Sequence, residues 1–158
     1  MDVTMHRLTL SDYDECLKFL NETFGQHNDH LVDFEKALPR AFRREERLMN
    51  RHWACRMEGR IVAVAGVYPM DLIVCGQTLR CATVGNIATH QSVRGKGLMK
   101  RLMREAMAEL GERNIDLSRL GGLRQRYNRY GYERAGSIYR CRLSAKNLTE
   151  CLSAGAGE

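Results

Sequence analysis

A chain of 158 residues, 44% hydrophobic and 28% charged, is sized for one domain whose core needs neither a metal nor disulfide staples. Its 25 basic residues outnumber 19 acidic ones, and the net charge of +6 makes a surface that attracts polyanions, whether nucleic acid or a phosphorylated cofactor. No apolar run approaches the ~20 residues of a membrane helix, and residues 1–10 lack the basic head and apolar middle of a signal peptide, so a cytoplasmic protein with no membrane partner is expected.

Residues 3–9 alternate as a short strand, and Ser11 with Asp14 resembles a capping pair opening a helix towards Phe24, with Leu17 and Leu20 on its inner face. The polar loop 25–30 carries His27 and His30 three apart; with no further ligand nearby, no metal is expected. Residues 31–38 and 41–48 read as helical pieces broken at Pro39. In the second, Glu45 and Glu46 interrupt Arg43, Arg44 and Arg47, which suits a solvated helix face better than a nucleic-acid stripe.

Strands are expected over 52–57 and 60–74, joined at Glu58-Gly59, and 75–78 reads as a tight turn with glycine leading a two-residue hairpin. A third strand, 79–89, carries Gly85 near its middle, as a bulge or a close neighbour requires, so 60–89 forms an antiparallel meander. After a basic turn, Leu98, Leu102, Ala106 and Leu110 recur at helical spacing, Met103 and Met107 widen the apolar face, and Gly111 supplies a stop. Residues 115–120 read as a strand, then come Gly121-Gly122, a short helix, a strand over 133–144, a helix-like piece over 145–152 and a small tail at 153–158. Cys16, Cys55, Cys75, Cys81, Cys141 and Cys151 show no metal-ligand spacing and mostly sit in apolar segments, so reduced buried thiols are expected. The order is α/β with a mixed sheet, and residues 1–152 form one domain.

The turn between the third strand and its helix carries the chemistry. Arg94-Gly95-Lys96-Gly97-Leu98 opens a helix with no capping side chain, leaving its first N–H groups and the positive end of its dipole to an anion. Glycines let a ligand approach the main chain, while Arg94, Lys96 and Lys100 add charge. Leu98 after Gly97 excludes the GKS or GKT ending of a P-loop, and GxGxxG fails as well.

What remains, Arg94-Gly95-Lys96-Gly97-Leu98-Met99, resembles the Q/R-x-x-G-x-G/A pyrophosphate loop of the GNAT superfamily of acetyl-CoA-dependent N-acetyltransferases. Downstream, Tyr127 stands four residues before Gly131, which an aromatic, Tyr132, follows; this resembles the superfamily's second signature, in the expected order. The long hairpin and Leu120-Gly121-Gly122 leading to Tyr127 most resemble the amino-terminal domain of the enhanced-intracellular-survival-like group, which continues into further domains.

The resemblance implies a mainly antiparallel GNAT sheet with flanking helices that normally ends in two strands; here 133–144 offers one, so the last strand is missing or another chain supplies it. The unpaired edge left behind would favour a homodimer. It implies acetyl-CoA as donor, with Ile87, Ala88 and Thr89 pairing with the pantetheine arm, and Arg94, Gly95, Lys96, Gly97, Leu98, Met99 and Lys100 around the pyrophosphate. Met99 departs from the motif's Gly or Ala, so its side chain must point away from the phosphates. Tyr127 matches the general acid. No base is evident: Cys81, Thr83 and Asn86 occupy the region where relatives carry glutamate, and a water chain, Asp71 or Glu133 are the alternatives. Asp29, Asp33, Glu35 and Asp71 could attract the acceptor, a small-molecule or protein amine. Two rivals fit the same residues. One is a non-catalytic acyl-CoA-binding module. The other is a nucleic-acid binder using the arginines and tyrosines of 119–142, several of which would instead flank the cofactor in a GNAT fold.

Overall fold

Among the described residues, runs rich in apolar and β-branched side chains produce five strands, which lie in the sheet in chain order: β1 (Val3–Arg7), β2 (His52–Met57), β3 (Arg60–Val74), β4 (Gln77–Thr89) and β5 (Leu117–Leu120). The computed structural model describes residues 2–25, 32–136, 144–145 and 147–149. Neighbouring strands are antiparallel except β4 and β5, which are parallel and joined by the crossover helix α4 (Leu98–Glu112). This is the expected mixed, mainly antiparallel α/β architecture.

Each face of the sheet has its own core. Leu8, Tyr13, Leu20, Phe42, Ala54, Val64 and Ala88 pack on the face covered by α1 (Tyr13–Gly25) and α2 (Phe34–Ala37). On the opposite face Ala63, Ala65, Val67, Ala82 and Val84 meet the Leu98, Leu102, Met103, Ala106 stripe of α4. Glu109 of that stripe is buried, yet it accepts from Trp53 Nε1 at 2.9 Å and lies 2.8 Å from Arg7 and 2.9 Å from Arg113. The helix thereby ties β1, β2 and its own last turn to one carboxylate. Replacing it by Glu109→Gln keeps the shape and removes the charge. Because both arginines are partly in water, the expected loss is about 1–2 kcal/mol, seen in urea unfolding as a lower midpoint at unchanged slope.

Several expectations need correction. The first cap is Thr9, whose N–H bonds Asp12 Oδ2 at 2.8 Å and whose hydroxyl reaches the same oxygen, so a 3-10 turn precedes α1; Asp14 instead pairs with Arg44. Residues 41–48 are mostly turn, and α3 is the single turn Glu46–Met49. At the long hairpin Cys75 takes the leading position with φ 50° and Gly76 follows at 78°, the two left-handed residues of a type I′ turn. The helix α4 runs through Gly111, and Asn114, at φ 51°, makes the left-handed exit. Residues 133–136 are irregular, and the rest of the strand expected to end at 144 lies outside the described residues, as does the tail. Cys16, Cys55 and Cys81 are buried free thiols but Cys75 is exposed; Cys141 and Cys151 are outside the described residues.

The paired strands β3 and β4 outrun their neighbours. β2 pairs with β3 only as far as Gly66, and β5 pairs with β4 only from Cys81 to Val84. Among the described residues, the end of the hairpin therefore stands as a two-stranded arm, with Ile73 75% exposed at its tip.

Candidate active site

The opposite end of β4 shapes the site. Val64 faces Ala88 and Gly66 faces Gly85, so two β4 residues, Asn86 and Ile87, stand against Ala65 alone. Asn86, at φ 52°, adopts the left-handed conformation that such bulges usually give to glycine. The expected irregularity is thus present, one residue beyond Gly85. Just before it the pairing with β5 ends at Val84 and Leu120, and residues 85–89 leave β5 behind. The N–H of His90 bonds Val62 of β3 at 2.8 Å, so by the alternation of an antiparallel ladder the N–H and C=O of Thr89 face the open side.

A cleft of about 520 Å³ fills this opening. Its strand wall is Ile87, Ala88 and Thr89; its floor is Val93, Arg94, Gly95, Gly97, Leu98, Met99 and Lys100; its far wall is Arg126, Tyr127 and Arg129, and Thr23 and Phe24 of α1 close it. All the site residues expected from the sequence therefore gather here except Lys96, which sits in the turn but does not line the cleft. Thr23, Phe24 and Val93 were missed, since nothing in their local spacing sets them apart from core residues.

The floor is a helix start without a side-chain cap. Gly97, at φ 76°, is the N-cap of α4, and the first helical bond runs from Arg101 N–H to Gly97 C=O at 3.1 Å. The N–H groups of Leu98, Met99 and Lys100 precede that bond and have no intrahelical acceptor. Gly95, at φ 81°, completes the turn, and a Cβ on either glycine would meet no protein atom within 4 Å. Arg94, Lys100, Arg126 and Arg129 add cations around these amides, which suits a pyrophosphate. Met99 reconciles its bulk with the turn by packing against the α4-face core.

Tyr127 ends α5 (Arg124–Tyr127) and is 7% exposed. Burial holds its phenol above the usual pKa, with Arg126 pulling the other way, so the hydroxyl is a donor throughout the neutral range. Its ring lies against Gly122, where an added Cβ would come within 2.8 Å of it, so the Gly-Gly turn after β5 is what lets the ring settle there.

The alternatives for a base fare differently. Glu133 is exposed and held by Arg124 at 2.7 and 2.8 Å. Asp71 faces Arg80 across the arm, bordering a different depression that also includes Cys81. Asp33 caps α2 and Glu35 accepts from Tyr13, while Asp29, His27 and His30 lie outside the described residues. Among the described residues, no carboxylate or imidazole lines the cleft, and no His, Cys, Asp or Glu cluster could hold a metal.

Comparison with known proteins places this geometry. The family model described as "Acetyltransferase (GNAT) domain" matches residues 4–135. Among solved structures, a predicted acetyltransferase from Clostridium acetobutylicum, determined with acetyl-CoA, superimposes with a TM-score of 0.74 at 20% identity, covering 89% of this chain and 96% of that one. A ribosomal-protein-alanine N-acetyltransferase from Brucella melitensis gives 0.65 at 23% identity over 90% and 100% of the two chains. A probable N-acyltransferase from Enterococcus faecalis gives 0.68 at 17% identity, where 84% of this chain covers only 33% of that longer one. No curated protein matches the chain.

Proposed function

Since the chain belongs to the GNAT acetyltransferase domain family, we propose that it transfers the acetyl group of acetyl-CoA directly to a primary amine, with Tyr127 as general acid. The observation that carries the reading is the meeting, in one cleft, of an uncapped helix start, a strand edge with free backbone groups and a buried tyrosine. Acetyl-CoA supplies an activated thioester; the chain's own groups hold and orient it. The amides of 98–100 with Arg94 and Lys100 bind the pyrophosphate, Lys96 adds charge from the turn, and Arg126 and Arg129 hold further anionic groups. Thr89 presents its main-chain groups to the pantetheine arm, with Ile87 and Ala88 lining the slot beside it, and an N–H there polarises the acetyl oxygen. Among the described residues no acid or imidazole lines the cleft, and the reading has the amine attack in its neutral form with its proton leaving through water.

Tyr127 acts on the departing sulfur. Proton transfer from a phenol of pKa above 10 to a thiolate near 8.5 is uphill, so hydrogen-bonding the thiolate contributes at least as much as full transfer. Tyr127→Phe should therefore lower kcat ten- to a hundredfold, with little change in acetyl-CoA affinity, because the interaction is realised only as the C–S bond breaks. Steady-state kinetics against a responsive amine checks it; an unchanged kcat would return Tyr127 to a packing role.

The acceptor is a small-molecule or protein amine, and the reading takes residues 1–152 as one cytoplasmic domain that needs no metal. The finer likeness, to the amino-terminal domain of the enhanced-intracellular-survival-like group, rests on the long hairpin and on Leu120-Gly121-Gly122 leading to Tyr127. Calorimetric titration with acetyl-CoA tests the whole reading: saturable binding followed by turnover in an amine panel is expected, and no binding by the folded protein would sink it. Binding without turnover on any amine would favour a regulatory acyl-CoA-binding module.

A further inference from the structure

The cofactor slot depends on the bulge at Asn86, and that bulge is tethered from the far face of the sheet. His52 is fully buried, with Nδ1 at 3.1 Å from the carbonyl of Leu48 and 3.2 Å from that of Met49. Carbonyls only accept, so Nδ1 carries the proton and Nε2 of the neutral ring is an acceptor. The hydroxyl of Tyr68, 2.8 Å from Nε2, must then donate to it. Its remaining lone pairs accept from Asn86 Nδ2 at 2.5 Å. The three bonds run one way, from the amide through the phenol to a ring locked by two main-chain carbonyls. The hydroxyl occupies space that only glycine leaves free, for a Cβ on Gly66 would lie 2.2 Å from it.

We propose that Tyr68, anchored by His52, is a positioning residue that holds Asn86 in its left-handed bulge and so keeps residues 87–89 turned towards acetyl-CoA. A side chain at positive φ inside a strand is strained, and an ordinary ladder would run β4 straight on beside β3. The tether opposes that relaxation, and its reach is short: the β4 residues that line the cleft begin one position after Asn86. This role rests on the proposed function, since the slot matters only if the cofactor enters it.

The test compares wild type with Tyr68→Phe, Asn86→Gly and the double variant, by calorimetry with acetyl-CoA and by backbone chemical shifts of residues 85–87, which report the φ of residue 86 without any ligand. Tyr68→Phe keeps the ring and should weaken binding about tenfold, or ~1.4 kcal/mol, in line with the loss of a buried hydrogen bond. Glycine adopts the bulge unaided, so Asn86→Gly should bind like wild type and the double variant should bind like Asn86→Gly. Wild-type affinity in Tyr68→Phe, or a double variant as weak as Tyr68→Phe alone, would overturn the tether. The shifts separate this from failure of the proposed function: if wild type binds no acetyl-CoA, left-handed shifts lost in Tyr68→Phe still support the tether, and shifts unchanged in that variant refute it. Gly66→Ala, which evicts the hydroxyl by bulk, should reproduce the effect of Tyr68→Phe by an independent route.

Discussion

Gly97→Glu should bind acetyl-CoA about a thousandfold more weakly than wild type. Two effects add. Residue 97 sits at φ 76°, a conformation that a side chain drives the free turn to leave, and re-forming it on binding costs about 1–2 kcal/mol. The new carboxylate then stands beside the pyrophosphate site, a like-charge pair costing about 2–3 kcal/mol more. Together these make ~4 kcal/mol, three powers of ten in affinity. The folded state should survive, because no protein atom lies within 4 Å of the added Cβ and an acid at a helix start is favourable to the dipole. Gly97→Ala, which carries the strain alone, should lose about tenfold, and raising the salt should narrow the gap between the two variants. Calorimetry on both, with circular dichroism to confirm the helix, measures this; a Gly97→Glu variant that binds as tightly as wild type would remove the pyrophosphate from the start of α4.

Acid should weaken the fold before its carboxylates protonate, and His52 is the reason. Burial lowers its pKa to about 4 from an unfolded value near 6.5, the carbonyls of Met49 and Leu48 offsetting part of that cost. The folded state therefore holds fewer protons than the unfolded one across this interval. Its contribution is fully present above pH 6.5 and is lost as pH falls towards 4, amounting to about 3 kcal/mol. Asp12 and Glu133, whose carboxyls are held below their usual range, add their own loss lower down. Urea unfolding at half-unit steps from pH 7 to 4 should show the decline, and His52→Gln should flatten it; an equally steep slope in that variant would move the effect elsewhere.

What could be read from the sequence follows the range of the forces involved. Strands 52–57 and 60–74 carry their own apolar, β-branched runs and a Glu-Gly turn with two left-handed residues, so their bounds were legible to the residue. The pyrophosphate loop was equally plain, because its glycines and cations are contiguous. Helix bounds over 31–48 were not, because α2 and α3 are single turns held by distant groups: the amide of Phe34 bonds Asn21, and the amide of Leu10 bonds Glu46. Gly111 misled for a related reason; packing of the α4 stripe outweighs one glycine's helix cost, and Asn114 takes the left-handed exit. The tether was invisible, since His52, Tyr68 and Asn86 are far apart in the chain and each alone looks like a polar residue in a strand.

The unequal lengths of the strands divide β4 into two mechanical regimes. At the Thr89 end it is clamped by β3, by the bulge and by cores on both faces, so opening there is tied to unfolding the whole. At the Gln77 end, among the described residues, it shares its ladder bonds with β3 alone, and a two-stranded ribbon in water is marginal by itself. The two ends of a single strand therefore open at different free energies, and the tip can fray and re-form many times over without disturbing the other end.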